Sequence, residues 1–189
     1  QNRTIYRVLG EEGESTAVIS GKMQYEAVDA WDFPAVGDWV LIDRTETEAG
    51  TAVIHHILTR KSIFARKAPG KSQETQIVAA NIDTVFICMA LQEDYNLRRL
   101  ERYLAIAWDS GARPVVVLTK ADLCTDLSER IAEVEQIALG ADVVTVSSQE
   151  DGGYAGLLPF IQFGETVALI GSSGVGKSTI INGLLGKEF

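Results

Sequence analysis

The sequence is poor in cysteine and has no long apolar segment. Two cysteines among 189 residues, Cys88 and Cys124, cannot by themselves build a disulfide framework or a four-ligand zinc site. Apolar runs such as TVFICMAL fall far short of the roughly 20 residues that cross a bilayer. The opening QNRTIYRV shows no signal-peptide pattern. We therefore expect a cytoplasmic protein in a reducing compartment, without a membrane partner.

Positive charge is also scarce. The formal net charge of −9 argues against nucleic-acid binding by overall charge. Residues 60–71 depart from this balance, since they contain no acidic residue. Their basic residues are Arg60, Lys61, Arg66, Lys67 and Lys71. Two interpretations stay open for this stretch: a solvated linker, or a phosphate-facing strip that contacts RNA.

The first part of the chain has the pattern of a small all-β domain. Residues 4–58 contain short runs rich in β-branched and aromatic residues, separated by glycines. The runs are IYRVLG, STAVIS, KMQYEAV, DWVLID and TAVIHHIL. Five short strands predict a small closed barrel. We place the barrel in residues 1–67 and a polar linker in residues 68–75.

Residues 76–189 have a different pattern, in which buried strands alternate with amphipathic helices. The strands are predicted within NIDTVFICMAL, RPVVVLTKAD, ADVVTVSS and TVALIGSS. One helix is predicted to begin after Asn96, a typical N-cap, and to end at Gly111. A second is predicted within DLSERIAEVEQIALG. This alternation predicts a parallel α/β sheet.

A glycine-rich loop near the end of the chain has the form of a phosphate-binding loop. It reads Gly171-x-x-x-x-Gly176-Lys177-Ser178 and lies between a predicted strand and a predicted helix. Its backbone N–H groups and the helix N-terminus suit phosphate oxygens, Lys177 suits the β- and γ-phosphates, and Ser178 suits Mg²⁺. The predicted phosphate-binding residues are Gly171, Ser172, Ser173, Gly174, Val175, Gly176, Lys177, Ser178 and Thr179.

Two further loops indicate which base is bound. Thr119-Lys120-Ala121-Asp122 follows a buried strand, where G proteins carry their N-K-x-D motif. The Asp122 carboxylate suits N1–H and the exocyclic amine of guanine, donors that adenine lacks there. An unpaired buried polar group costs about 1–3 kcal/mol. Ser147 and Ser148 stand where the S-A-x loop of G proteins contacts guanine, so we predict guanine binding by Thr119, Lys120, Asp122, Ser147 and Ser148.

The order of these motifs is unusual and points to a family. Ordinary G domains begin with the phosphate loop, whereas here the guanine motifs come first, as in a circularly permuted G domain. With a small barrel in front, the chain resembles the bacterial small-ribosomal-subunit biogenesis GTPases of the RsgA, or YjeQ and YloQ, type. The resemblance covers essentially the whole chain. It rests on VGDWVLID, AANID at 79–83, NLRRLERYLAIAWDSGARPVVVLTKADL at 96–123, VSS at 146–148 and LIGSSGVGKSTIINGLLG at 169–186.

The resemblance implies a barrel of the OB-fold type that contacts ribosomal RNA. It also implies a GTPase that uses GTP or GDP with Mg²⁺ and acts late in maturation of the small ribosomal subunit. Two alternatives remain: a ribosome- or RNA-binding module without nucleotide turnover, and a P-loop ATPase.

The chain departs from this family in two ways. Thr119 stands where many G proteins have asparagine, which contacts guanine and braces the phosphate loop, so we expect modest affinity. No D-x-x-G occurs in the sequence, and the family's switch loops and C-terminal zinc domain, the expected place for zinc, are missing. We therefore expect a truncated chain with an incomplete α/β domain and no catalytic residue of its own. It should hydrolyse GTP negligibly, and its exposed sheet edge should lead either to self-association or to a rearranged C-terminus.

Overall fold

The computed structural model describes residues 5–11, 13–43, 50–67, 75–92, 94–150 and 152–186. The chain divides into two compact units, Gln1–Asn81 and Ile82–Phe189. The division falls after Asn81, so residues 76–81, which the sequence placed in the second domain, lie in the first unit.

The first unit is built on a mixed four-stranded sheet. Its strands are β1 (Ile5–Gly10), β2 (Gly13–Ile19), β3 (Val40–Ile42) and β4 (Ala52–Ile57). The order is β1-β2-β4-β3, with β2 and β4 parallel and the outer pairs antiparallel. The sheet curls into a half-barrel around a small core of Ala17, Ala52 and Ile54. Among the described strands, β1 and β3 form its two edges.

One segment predicted as a strand is a helix. The run KMQYEAV lies in α1 (Gly21–Glu26), where the Ser20 hydroxyl accepts a 3.1 Å hydrogen bond from the N–H of Met23. Lys, Met, Gln and Glu lose little side-chain freedom in a helix, and serine is a strong N-cap. These local preferences outweigh the short alternation of apolar residues that suggested a strand.

The last two strands of the first unit form a hairpin that the sequence did not predict. Strands β5 (Ile63–Lys67) and β6 (Thr75–Ala80) pair antiparallel. The Asn81 side chain accepts from the N–H of Lys61 at 2.8 Å and donates to the carbonyl of Gly37 at 2.9 Å. A Cβ at Gly37 would fall 2.2 Å from the carbonyl oxygen of Ala80, so only glycine fits there. These contacts hold the hairpin in the first unit.

The second unit is the α/β fold that the sequence predicted. Its elements are β7 (Thr84–Ala90), α2 (Leu97–Ser110), β8 (Arg113–Thr119), α3 (Leu127–Ile137), β9 (Asp142–Thr145), β10 (Val167–Ile170) and α4 (Lys177–Leu185). The four strands are parallel, in the order β10-β7-β8-β9. Every residue of β7 is buried, as expected for a strand covered on both faces. The predicted limits of α2 are confirmed: Asn96 caps the N–H of Arg99, and Gly111 ends the helix at a φ of 85°.

The predicted order of a β domain followed by a P-loop α/β domain is thus confirmed. The described strands of the first unit form a curled half-barrel, where the sequence predicted a closed barrel of five strands. Among the described residues, none of the helices is both long and apolar enough to span a membrane.

Candidate nucleotide-binding site

Three loops of the second unit lie at one edge of the sheet. They follow the carboxyl ends of β8, β9 and β10, and they contain the residues predicted to bind base and phosphate. Parallel strands bring such ends together, and ligands of open α/β sheets bind there.

The phosphate loop is held by its glycines and by one buried valine. Gly171, Gly174 and Gly176 have φ values of 147°, 78° and 97°, which favour glycine strongly. A Cβ at Gly171 would fall 2.4 Å from the carbonyl oxygen of Cys88 in β7. Val175 is 1% exposed and packs in the core of the unit. The loop is therefore held against β7 and the core of the unit, whereas Ser173 and Gly174 are exposed to solvent.

Lys177 begins helix α4 and folds over the loop. Its Nζ donates to the carbonyls of Gly171 at 2.9 Å and Ser172 at 2.6 Å. Ser178 and Thr179 follow in the first turn and are exposed. A lysine charge at a helix N-terminus, beside an open glycine loop, is the arrangement that binds phosphate.

Thr119 connects the loop after β8 (residues 119–122), which was predicted to bind the base and is called the base loop below, to the phosphate loop. Its hydroxyl donates a 2.7 Å hydrogen bond to the carbonyl of Val175, 56 residues away. The threonine is 3% exposed, so this bond is shielded from water. Bracing of the phosphate loop, which asparagine provides in many G proteins, is thus provided here by a hydroxyl.

The two loops predicted to bind guanine are connected as well. The Ser147 hydroxyl donates to Oδ1 of Asp122 at 2.7 Å and accepts from the N–H of Gln149 at 3.1 Å. Lys120 adopts the left-handed conformation at a φ of 57°, which turns the chain into the short 3₁₀ helix Ala121–Leu123. Asp122, Lys120 and Ser148 are exposed at the sheet edge. The structure therefore brings all the predicted base residues into one cluster with the phosphate loop.

Gly153 supports this cluster and was not predicted. A Cβ there would lie 1.9 Å from the carbonyl oxygen of Ser147, so the backbone passes directly against the guanine loop. The next residue, Tyr154, packs its ring on Gly183 of α4, where a Cβ would lie 2.3 Å from the ring. Adjacent residues thus touch the loop of Ser147 and the phosphate-loop helix. In the sequence, only the glycine pair Gly152-Gly153 indicated that the backbone passes close to another loop at this point.

Ser178 fits the Mg²⁺ role assigned to it. Magnesium in nucleotide sites takes one or two protein oxygens together with phosphate oxygens and water. An exposed hydroxyl at the first turn of α4, one residue after Lys177, supplies one such oxygen.

The basic strip of the first unit is only partly described. Arg60 was predicted as an RNA contact, and this stays a prediction, although its guanidinium is occupied within the fold. It forms two 2.8 Å bonds to the carboxylate of Asp38 and donates to the carbonyls of Trp31 and Phe33. The Asp38 side chain is 1% exposed and that of Arg60 10%.

The remaining strip residues stay predictions. Lys61 is exposed. The side chains of Arg66 and Lys67 lie outside the described residues, although their backbone belongs to β5, and Lys71 lies outside them altogether.

A cavity of about 610 Å³ opens in the first unit. Its walls include Lys22, Trp31, His55 and His56. Residues Leu41 and Ile42 of β3 pair with His56 and Ile54, so His55 is an extra residue in β4. Both of these neighbouring histidines line the cavity.

The chain has the fold of a circularly permuted GTPase with a small β domain in front of it. The crystal structure of YjeQ from Thermotoga maritima matches with a TM-score of 0.71 and 26% identity, covering 94% of this chain and 60% of that one. The crystal structure of YloQ, described as a circularly permuted GTPase, matches with a TM-score of 0.66 and 23% identity, covering 96% of this chain and 61% of that one.

The chain belongs to the RsgA GTPase family, whose family model matches residues 57–189. The small ribosomal subunit biogenesis GTPase RsgA 2 of Lactiplantibacillus plantarum is 50% identical over 188 residues, covering 100% of this chain and 53% of that protein. The corresponding RsgA protein of Opitutus terrae is 46% identical over 188 residues, covering 96% of this chain and 51% of that protein. The chain spans about half the length of the curated relatives it matches.

Proposed function

We propose that this chain binds GTP and GDP with Mg²⁺ and forms the nucleotide-binding part of a GTPase that assists small-ribosomal-subunit assembly. The observation that carries the proposal is the pair of hydrogen bonds Thr119–Val175 and Ser147–Asp122. Together they join the base loops and the phosphate loop into one site. Membership of the RsgA GTPase family and the names of the relatives support the same function.

The phosphates would lie over the loop between Gly171 and Gly176. Lys177 now bonds the carbonyls of Gly171 and Ser172. On nucleotide binding its ammonium would turn from these neutral acceptors to the β- and γ-phosphates, which attract the charge more strongly. The Ser178 hydroxyl would contribute one ligand to Mg²⁺, which screens the charge of the phosphates.

The base would lie against the exposed edge of Asp122, with the Lys120 stem along its face. Ser147 holds the carboxylate in place, and the backbone at Ser148 is the candidate donor to the guanine O6. Adenine presents no matching pair of donors to Asp122, so the site favours guanine.

The partner would be the small ribosomal subunit, in the cytoplasm, with the first unit contacting its ribosomal RNA. This part rests on the names of the relatives. The proposal assigns nucleotide binding to these 189 residues and no hydrolytic residue, so we expect negligible GTP turnover by this chain alone. Steady turnover by the purified chain would contradict that expectation. We also retain self-association as a proposal, to be checked by sedimentation at several concentrations.

Calorimetric titration with GDP, GTP and ATP in the presence of Mg²⁺ tests the nucleotide site. We expect saturable binding of both guanine nucleotides and weak or no binding of ATP. Asp122→Asn should shift the preference toward xanthosine diphosphate. The new side-chain amide donates a hydrogen bond, and xanthine carries an accepting oxygen at the position where guanine carries its amine. Asp126→Asn, on an exposed carboxylate without a capping bond, is the matched control.

The remaining outcomes identify the alternatives. Preference for ATP would favour a P-loop ATPase. Absence of saturable binding at millimolar nucleotide, together with co-sedimentation with small subunits, would favour a module that only binds the ribosome.

A further inference from the structure

The cavity of about 610 Å³ in the first unit has the size of a small-molecule site. Protein pockets that hold such ligands measure about 300–1,000 Å³ and combine apolar or aromatic walls with a few polar groups. Three aromatic rings line this cavity, those of Trp31, His55 and His56, together with the apolar side chains of Met23 and Ile63. Its walls therefore have the composition of a binding site.

Hydrogen bonds hold the elements that form the walls. The N–H of Ser20 donates to the carbonyl of Ile54 at 2.9 Å, which ties the start of α1 to β4. Arg60 donates to the carbonyl of Trp31 at 2.9 Å, and the Asp29 carboxylate accepts from the N–H of Trp31 at 2.7 Å. Because these bonds fix the walls in advance, a ligand loses less free energy in ordering them.

The ring nitrogens at the cavity are available to a ligand. Among the described residues, none forms a hydrogen bond or ion pair with the imidazoles of His55 and His56 or with the indole N–H of Trp31. A neutral imidazole has one donor and one acceptor nitrogen, whereas the indole only donates. The three rings together therefore offer both donors and acceptors.

The charged side chains of the walls are matched within the fold. Arg60 pairs with the buried carboxylate of Asp38, and Nζ of Lys22 lies 3.8 Å from Oε1 of Glu26. The Asp32 carboxylate accepts from two backbone N–H groups. The cavity thus has no excess of positive charge to offer a phosphate group, and it suits a neutral ring.

We propose that this cavity is a nucleobase-binding site. A base is a neutral planar ring that stacks on aromatic side chains, and its edge carries donors and acceptors that imidazole and indole nitrogens can match. The base belongs either to a free nucleoside or to single-stranded RNA, whose phosphates would stay outside at the exposed Lys22. The site goes beyond the proposed guanine-nucleotide binding and uses none of its residues.

NMR titration of the whole chain tests the site, because His55 and His56 are the only two histidines in the sequence. Their ring C–H signals are followed at pH 8, where free imidazole is neutral, while adenosine is added. We expect both signals to shift with half-saturation below about 1 mM, and ribose 5-phosphate, which has no base, to shift neither. A GDP titration of the same sample reports on the proposed nucleotide site, so the two proposals can fail separately.

Variants of the walls identify the contacts. Trp31→Ala removes the stacking ring but keeps the backbone groups that hold its turn, and it should weaken adenosine binding about tenfold. Trp39→Ala is the matched control, because Trp39 lies in the same unit, is 67% exposed and does not line the cavity. His56→Phe keeps a ring without nitrogens and should weaken binding about fivefold, measured on the His55 signal. GDP affinity should be the same in all three variants.

A single-stranded oligoadenylate distinguishes the two sources of the base. Binding more than about tenfold tighter than adenosine, seen on the same signals, assigns the site to RNA, and any smaller preference assigns it to a free nucleoside. Absence of saturable shifts with both ligands would overturn the proposal, as would equal adenosine binding by Trp31→Ala and wild type. If Trp31→Ala does not fold, the same comparison with His56→Phe decides.

Discussion

The Ser147 hydroxyl holds the Asp122 carboxylate through a 2.7 Å hydrogen bond that spans 25 residues of sequence. Ser147→Ala removes this donor, so the carboxylate is no longer oriented toward the base. A hydrogen bond to a charged group contributes about 1.5–3 kcal/mol when shielded, and the exposed carboxylate of Asp122 places the loss near the lower limit. We expect GDP affinity to fall about tenfold in calorimetric titration. Ser128→Ala, at an exposed position of α3 with no assigned role in the site, should change it little.

Gly153 should be intolerant of any side chain. A Cβ there would lie 1.9 Å from the Ser147 carbonyl oxygen, so Gly153→Ala must displace the guanine loop or the chain opposite it. We expect a lower melting temperature and a weaker preference for GDP over IDP. Gly21→Ala is the control, because no atom lies within 4 Å of its added methyl. Equal nucleotide selectivity in Gly153→Ala and wild type would contradict the positioning role.

The Arg60–Asp38 pair should stabilise the first unit. Arg60→Met would leave the Asp38 carboxylate buried beside only one other described donor, the N–H of Ala35 at 2.8 Å. Breaking a buried pair from one side costs about 3 kcal/mol or more. We expect a clear drop in the urea midpoint, partly recovered in the double variant Arg60→Met with Asp38→Leu. Arg7→Met, which breaks an exposed pair with Glu14, should leave the midpoint nearly unchanged.

The two cysteines should differ sharply in reactivity. Cys88 is 2% exposed beneath the phosphate loop, and burial raises the pKa of its thiol to about 12, although the Lys177 charge opposes the rise. Because the thiolate is the reactive form and the pKa is raised, alkylation of Cys88 should stay slow at pH 8 and accelerate only well above it. Cys124 is half-buried and should react first. Mass spectrometry after iodoacetamide treatment checks this, and rapid labelling of Cys88 in folded Cys124→Ser protein would contradict it.

Much of the second unit could be predicted from the sequence because its signals are local. Continuous apolar runs marked β7 and β8, Asn96 and Gly111 marked the ends of α2, and the glycine spacing marked the phosphate loop. The common edge of parallel strands then brought the base and phosphate residues together.

What the sequence did not reveal depends on contacts between distant residues. Arg60 looked like a free cation because its partner, Asp38, lies 22 residues away. The role of Gly153 depends on the path of the chain past Ser147, which no residue pattern records. Helix α1 was misread because six residues are too few for a helical period to stand out from strand alternation.

The contact between Thr119 and Val175 also sets an order of events during synthesis. The guanine loops are made before β10 and α4, yet β10 must pair with β7, some 80 residues earlier, before the hydroxyl of Thr119 has its acceptor. Because closing a loop of this length costs entropy before the contact adds stability, contacts between such distant residues form late in folding. A nascent chain thus lacks the Thr119–Val175 bond until the phosphate loop docks, and the proposed nucleotide site is complete only when the α/β unit has closed on itself.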